Sequence, residues 1–242
     1  MSQDSDVENE MMARGTWAEK FKEFQSDRGN PRRAAFARVG NATRRVIERL
    51  VATTATNEDL ESIADQIESV ASALERYPMG RTYEGFSEAA NAGSPGGFFD
   101  HSPISGVANP IAPPLRFEIP DMDAGGEKRI IGRANFGSAY EGPPGCVHGG
   151  YLAASFDELL GRAQSLGGNP AMTANLTINY RKPTPLKCDL EFEGILVKVD
   201  GRKVYTSGTC KYNGIVTAEA EALFVSINFE KLAELARLQR RM

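Results

Sequence analysis

The chain has 242 residues, 41% hydrophobic and 25% charged, the balance of a soluble globular protein with one large domain or a core domain plus an extension. A formal net charge of −4 argues against non-specific nucleic-acid binding. No apolar run approaches the roughly 18 residues of a membrane span; a polar start without a signal-peptide core and three scattered cysteines (Cys146, Cys188, Cys210) with no CxxC pair point to a reducing, cytoplasmic setting.

The acidic, polar stretch from Met1 to about Glu10 is expected to be disordered. Trp17 to Phe24 reads as a short helix, broken by Gly29-Asn-Pro31. Ala34 to Ala52 has helical composition, with Phe36, Val39, Val46, Leu50 and Val51 among arginines and Gly40 weakening its centre. Thr56 to Tyr77 is the clearest helix of this half. Thr56 suits the N-cap, Glu58 and Asp59 the first turn, and Leu60, Ile63, Ile67, Val70 and Leu74 form one stripe before Pro78. Arg81 to Pro114 is rich in glycine and proline and reads as an irregular connector, anchored by Phe86, Phe98, Phe99 and Ile104. Residues 1–112 are therefore expected to form a helical extension, and residues 113–242 the main domain.

From Leu115 the period changes to two. Leu115, Phe117 and Ile119 alternate, and Glu127 to Phe136 offers a second strand. Gly142-Pro-Pro-Gly-Cys-Val-His-Gly-Gly150 must turn, and Tyr151 to Leu166 follows as a helix apolar on nearly every side. Glu158 and Arg162 can pair as i,i+4 neighbours. Asp157 has only Ala153, Ala154, Leu160 and Gly161 beside it, so on this reading it is a buried carboxylate that something outside the helix must answer.

Strands then resume at Met172–Tyr180, Cys188–Lys198, Lys203–Tyr212 and Ile215–Asn228. Leu176, Ile178 and Tyr180 alternate in the first of them, and Leu190, Phe192 and Val197 in the second. Asp200-Gly201 and Asn213-Gly214 are hairpin signals that make the last three strands an antiparallel meander. Phe229 to Met242 closes as a short amphipathic helix. The fold class is α+β: one curled antiparallel sheet around a long central helix, with helices in front.

These elements carry motifs that resemble the hotdog-fold acyl-CoA thioesterases over roughly half the chain, from about Pro114 to Lys231. The likeness is nearest to the PaaI-like branch that includes the thioesterase superfamily member 4 type. The matching residues are Pro143-Pro-Gly-Cys-Val-His148-Gly-Gly150, Asp157 in the helix, and Thr173-Ala-Asn-Leu-Thr-Ile-Asn-Tyr180-Arg-Lys-Pro. Gly201-Arg-Lys203 and Glu219-Ala-Glu-Ala-Leu-Phe224 complete them.

The resemblance implies a hotdog fold and hydrolysis of an acyl-CoA to free acid and coenzyme A. It implies no cofactor beyond the CoA of substrate and product, and a homodimer or dimer of dimers with active sites between subunits. Asp157 matches the carboxylate that acts as general base or nucleophile. Gly149 matches the glycine whose N–H polarises the thioester carbonyl, a role that suits a helix N-terminus. Thr173 matches the hydroxyl that orients water, usually supplied by the partner subunit, and His148 the histidine beside the thioester. Gly150, Asn179, Arg181, Arg202 and Lys203 match substrate-binding positions, the basic ones suited to nucleotide phosphates. The extension is expected to pack over this domain and shape the acyl channel.

Plainer readings stand beside these. Asp157 could brace a neighbouring loop, His148 could be a satisfied loop histidine, and Arg181, Lys182, Arg202 and Lys203 could be solvated turn charges. Cys146 is read as packing and His101 as structural or exposed. With two histidines and no spaced cysteine pair, no metal site is expected. No Gly-Xaa-Ser-Xaa-Gly elbow, Walker loop or dinucleotide fingerprint occurs. Two other functions remain open: a non-catalytic acyl-CoA-binding protein, and an interaction protein acting through its N-terminal helices.

Overall fold

The computed structural model describes residues 31–77, 100–113, 115–120, 128–168 and 171–226. The expected disordered start, the helix at Trp17–Phe24, the anchors Phe86, Phe98 and Phe99, and the helix from Phe229 lie outside these residues.

Among the described residues two helices come first: α1 (Pro31–Leu50) and α2 (Asn57–Glu75). Pro31, read above as part of a break, is the first residue of α1, where its missing N–H costs nothing. Gly40 is not a weak point but a contact. It is buried, and a Cβ there would come within 2.7 Å of the Val107 carbonyl oxygen. In α2 the Thr56 cap is present, its Oγ1 accepting from Asp59 N–H at 3.2 Å. None of α2's residues is buried, and Ile63, Ile67, Val70 and Leu74 are exposed.

The strands are β1 (Arg116–Glu118), β2 (Arg129–Ala134), β3 (Ala171–Tyr180), β4 (Leu190–Asp200), β5 (Lys203–Tyr212) and β6 (Ile215–Ser226). They form one antiparallel sheet in the order β1-β2-β4-β5-β6-β3, which leaves β1 and β3 at the edges. Gly201 at φ +57°, and Asn213 and Gly214 at φ +49° and +76°, close the two predicted hairpins. Val197 falls at a bulge between Leu196 and Lys198. It is exposed, and at an odd spacing from Leu190 and Phe192 the two-residue period does not place it on their inner face.

The central helix, α3 (Gly149–Ser165), lies on the inner face of this sheet. It is one-sided, which corrects the all-round apolar reading. Leu152, Ser155, Phe156, Leu159, Leu160, Ala163 and Gln164 are buried, while Tyr151 and Asp157 are exposed. A row of small residues across the sheet, Gly194, Gly208 and Ala220, makes room for it. Leu159 sits over Gly194 and Leu160 over Gly208. Phe136, Phe156, Phe192 and Phe224 fill the rest of the core, each worth about 2–3 kcal/mol of burial.

On the other side of α3, Arg162 pairs with Glu158 at 2.7 Å, as expected, and its guanidinium stands 4.4 Å from the Phe117 ring centre. Burial pulls its pKa down against the pull of Glu158. Ser105 of the connector donates to Glu158 at 2.5 Å, and Ile104 packs on the core. Lys128 donates to the Leu166 carbonyl at 3.0 Å, capping the helix's negative end.

Candidate active site

The glycine-rich loop before α3 is fastened on both flanks. Glu141 and Val147 form a bridge, Gly142 N–H reaches the Cys146 carbonyl at 2.9 Å, and Gly145 turns at φ +74°. A Cβ on Gly142 would meet His148 Cα at 2.8 Å, so the strands of this small loop close only around glycine. Val147 N–H donates to the Thr184 carbonyl at 2.8 Å, and His148 N–H to the Tyr140 carbonyl at 2.9 Å. The start of α3 is thereby fixed in place.

His148 is the N-cap of α3. Its Nδ1 accepts from Gly150 N–H at 3.0 Å, which fixes Nδ1 as the unprotonated nitrogen. The bond answers one of the four donors orphaned at a helix start. Gly149 N–H, the first of those donors, meets no acceptor among the described residues. Its carbonyl takes a 2.8 Å hydrogen bond from Tyr180 Oη, and a Cβ on Gly149 would stand 3.3 Å from that ring. An unanswered N–H at the positive end of a seventeen-residue helix is a donor suited to a developing oxyanion.

Asp157 lies two turns further on. It is exposed, so the cost of burial inferred from its helical neighbours does not arise in the single chain. An outside partner does exist: Thr173 Oγ1 donates to Asp157 Oδ1 at 2.9 Å. In the single chain that hydroxyl comes from its own β3. Eight residues at about 1.5 Å each separate Gly149 from Asp157 by about 12 Å along the helix. Within one chain, the donor and the carboxylate do not meet on one carbonyl group.

Strand β3 spans both halves of this arrangement. Thr173 stands near its start, opposite Phe224, and Tyr180 at its end, opposite Ala218. The expected substrate-binding residues divide the same way. Arg202, whose guanidinium donates to the Ser226 carbonyl at 3.2 Å, and Lys203, opposite Val225, lie beside the start of β3. Asn179 lies at its far end, opposite Glu219, and Arg181 follows the strand with its guanidinium on Glu219 at 2.8 Å. One chain by itself does not bring these four side by side: two lie beside each end of β3. Gly150 is at the helix start with Gly149.

Cys146 is half-buried and bridged to Pro185, which fits packing. His101 is exposed, its ring edge-on to Phe36 at 5.6 Å. Among the described residues no cluster of His, Cys, Asp or Glu is arranged to hold a metal ion. Three neighbours of the site carry no local signal in the sequence. Tyr180 stands in the matching strand motif but has no assigned role there, and its hydroxyl bonds the Gly149 carbonyl. Tyr140 stacks edge-on against Tyr151 at 4.8 Å, and Glu48 reaches the site from α1.

Residues 144–211 match the family described as the thioesterase superfamily. The chain is 36% identical over 103 residues to acyl-coenzyme A thioesterase THEM4 of Xenopus laevis, covering 42% of this chain and 46% of that protein. To THEM4 of Mus musculus it is 38% identical over 107 residues, covering 43% and 46%. The chain thus spans about half the length of the curated relatives it matches. A crystal structure described as a thioesterase superfamily protein is 34% identical with a TM-score of 0.66, covering 78% of this chain and 94% of that one.

Proposed function

Because the chain belongs to the thioesterase superfamily, we propose that it is an acyl-CoA thioesterase built as a homodimer, or a dimer of dimers, with each active site shared between two copies. The observation that carries this reading is the division of the site along β3. Asp157 and Thr173 sit at the start of the strand, and Gly149 under Tyr180 at its end.

Among the described residues β3 is an edge strand with β6 on one side only. Its outer backbone groups are open to pairing, and Met172 and Tyr180 along it are 58% and 55% exposed. Two copies related by a two-fold axis would pair β3 with β3 antiparallel. The start of each strand then faces the end of the other. One copy's Asp157 and Thr173 come beside its partner's oxyanion donor, and one copy's Arg202 and Lys203 beside its partner's Asn179 and Arg181. Both divided sets are completed by the same pairing.

In that site Gly149 N–H polarises the thioester carbonyl. Asp157 takes the proton of a water oriented by Thr173, or attacks the carbonyl carbon itself. The tetrahedral oxyanion collapses, the C–S bond breaks, and coenzyme A leaves as thiolate and is protonated. With water as nucleophile the other product is the free acid, whereas attack by Asp157 leaves a mixed anhydride on its carboxylate that water then hydrolyses to the free acid. Arg181, Arg202 and Lys203 meet the phosphates of the nucleotide, and His148 braces the helix start. Neither route calls on a cofactor. Three free thiols suit the cytoplasm, where the enzyme would act in fatty acid metabolism.

The test is thiol release from short, medium, long and aromatic acyl-CoAs by wild type and Asp157→Asn. Loss of general-base help predicts a rate lower by roughly 10²- to 10⁴-fold with acyl-CoA still bound. No turnover of any of them by wild type, with binding retained, would leave an acyl-CoA-binding protein instead.

A further inference from the structure

The contact between α1 and the loop that leads into α3 follows from no strand, turn or motif of the domain. Ser138–Tyr140 is a single 3-10 turn whose cap position is Gly137, a residue with no side chain to answer the turn's first amides. Glu48 answers them from α1, ninety residues away. Its two carboxylate oxygens accept separately from Ser138 N–H at 2.7 Å and from Ala139 N–H at 3.0 Å. A Cβ on Gly137 would run into that carboxylate, so the missing cap and the incoming side chain fit each other.

From there a short covalent and hydrogen-bonded path reaches the oxyanion donor. The next residue, Tyr140, accepts His148 N–H on its carbonyl at 2.9 Å, and its ring stands edge-on to Tyr151 on the first turn of α3. His148 caps the helix, and Gly149 follows it. α1 is itself anchored to the connector. Arg33 bonds Asp100 at 2.6 Å, Arg44 reaches the Asn109 and Val107 carbonyls at 2.6 and 2.8 Å, and Gly40 packs on Val107. Glu48 is therefore held at a fixed height over the turn.

We propose that Glu48 is a positioning residue for the reaction: it caps the 138–140 turn from α1 and so sets the position of Tyr140, His148 and the Gly149 N–H. This rests on the thioesterase reading for its catalytic consequence, but the clamp itself does not. Displacing an oxyanion donor by a fraction of an ångström weakens an interaction realised in the transition state. It lowers kcat and kcat/KM together and leaves KM nearly unchanged.

The experiment compares wild type, Glu48→Ala and Glu48→Gln by steady-state hydrolysis and by amide hydrogen exchange resolved at Ser138, Ala139 and His148. In Glu48→Ala, kcat should fall roughly ten- to a hundredfold with KM within about twofold. Exchange at Ser138, Ala139 and His148 should quicken. Glu48→Gln, isosteric and still able to accept one of the two bonds, should lie between and serves if the alanine variant does not fold. Wild-type kcat in either folded variant, or a raised KM with kcat unchanged, would overturn the positioning role. If wild type hydrolyses no acyl-CoA, the enzymatic reading fails, and exchange alone judges the clamp: faster exchange at His148 supports it and unchanged exchange overturns it.

Discussion

Thr173 Oγ1 donates a 2.9 Å hydrogen bond to Asp157 Oδ1, so the edge strand and the central helix of one chain hold the carboxylate between them. The bond fixes one carboxylate oxygen and leaves the other to meet water or substrate. Thr173→Ala frees the side chain to rotate, and kcat should fall about ten- to a hundredfold because a general base works only within hydrogen-bond reach. Thr173→Ser restores the hydroxyl and should recover most of that loss. Thiol release by the two variants checks this; an alanine variant as fast as wild type would return Thr173 to an ordinary strand residue.

Gly149→Pro removes the oxyanion donor, and its Cβ also presses on the Tyr180 ring at 3.3 Å. Gly149→Ala, which keeps the N–H, makes that contact alone and so controls for it. Proline is well placed at the first position of a helix, and His148, at φ −61° and ψ 130°, already has the backbone that a following proline demands. Its loss should cost about 10²- to 10³-fold in kcat. Mixed with Asp157→Asn after subunit exchange, this inactive variant should regain activity. A mixed dimer holds one intact site, with the glycine from one copy and the aspartate from the other. Random pairing predicts a plateau near about one quarter of wild type. If no activity returns when exchange is complete, the shared site is wrong.

The hotdog order was legible because its signals are local. Asn213-Gly214 announces a hairpin, Leu115-Xaa-Phe117 a strand with one face inward, and Thr56 a helix start. What failed was everything set by the third dimension. Asp157 looked buried because its neighbours along the helix are apolar, yet the sheet covers the face carrying Phe156 and Leu160, not the one carrying Asp157. Nor does any local pattern report that Arg181 and Arg202, both matched to substrate-binding positions, stand beside opposite ends of β3 within one chain. Gly40 looked like a helix fault because no sequence rule reports that Val107 lies against it. Glu48 carried no signal at all, since its partners are backbone amides ninety residues away.

Glycines of the core give a stability test with two opposite signs. A Cβ on Gly194 would lie 2.8 Å from Leu159 Cγ, a fully buried side chain with nowhere to go. Gly194→Ala should destabilise by about 1–3 kcal/mol, as overpacking does, and lower Tm by several degrees. Gly161, inside α3 one turn before its end, has nothing nearer to an added Cβ than Phe224 at 4.0 Å. Gly161→Ala should stabilise by up to about 1 kcal/mol through helix propensity alone. Thermal unfolding of both decides whether the helix seats on the sheet as described; a neutral Gly194→Ala would mean that it does not.

Acid should release the α1 clamp late. Burial alone would raise the Glu48 pKa, but the amides of Ala139 and Ser138, with the Lys187 charge, outweigh it and hold the carboxyl below its ordinary range. Tyr140, packed beside it, has its hydroxyl pushed up, chiefly by burial and in small part by Glu48, so it stays neutral throughout. Arg44, one turn earlier on α1, also remains charged. A carboxylate depressed in the folded state contributes stability that is fully present above its unfolded pKa and is lost as pH falls through the folded one. The Tm difference between wild type and Glu48→Gln should therefore be flat from about pH 7 to about pH 5 and shrink at lower pH. Thermal scans across that range check it. A difference that grows on acidification would require the carboxyl to bind the turn in its protonated form, and the clamp would then be a neutral contact rather than a carboxylate cap.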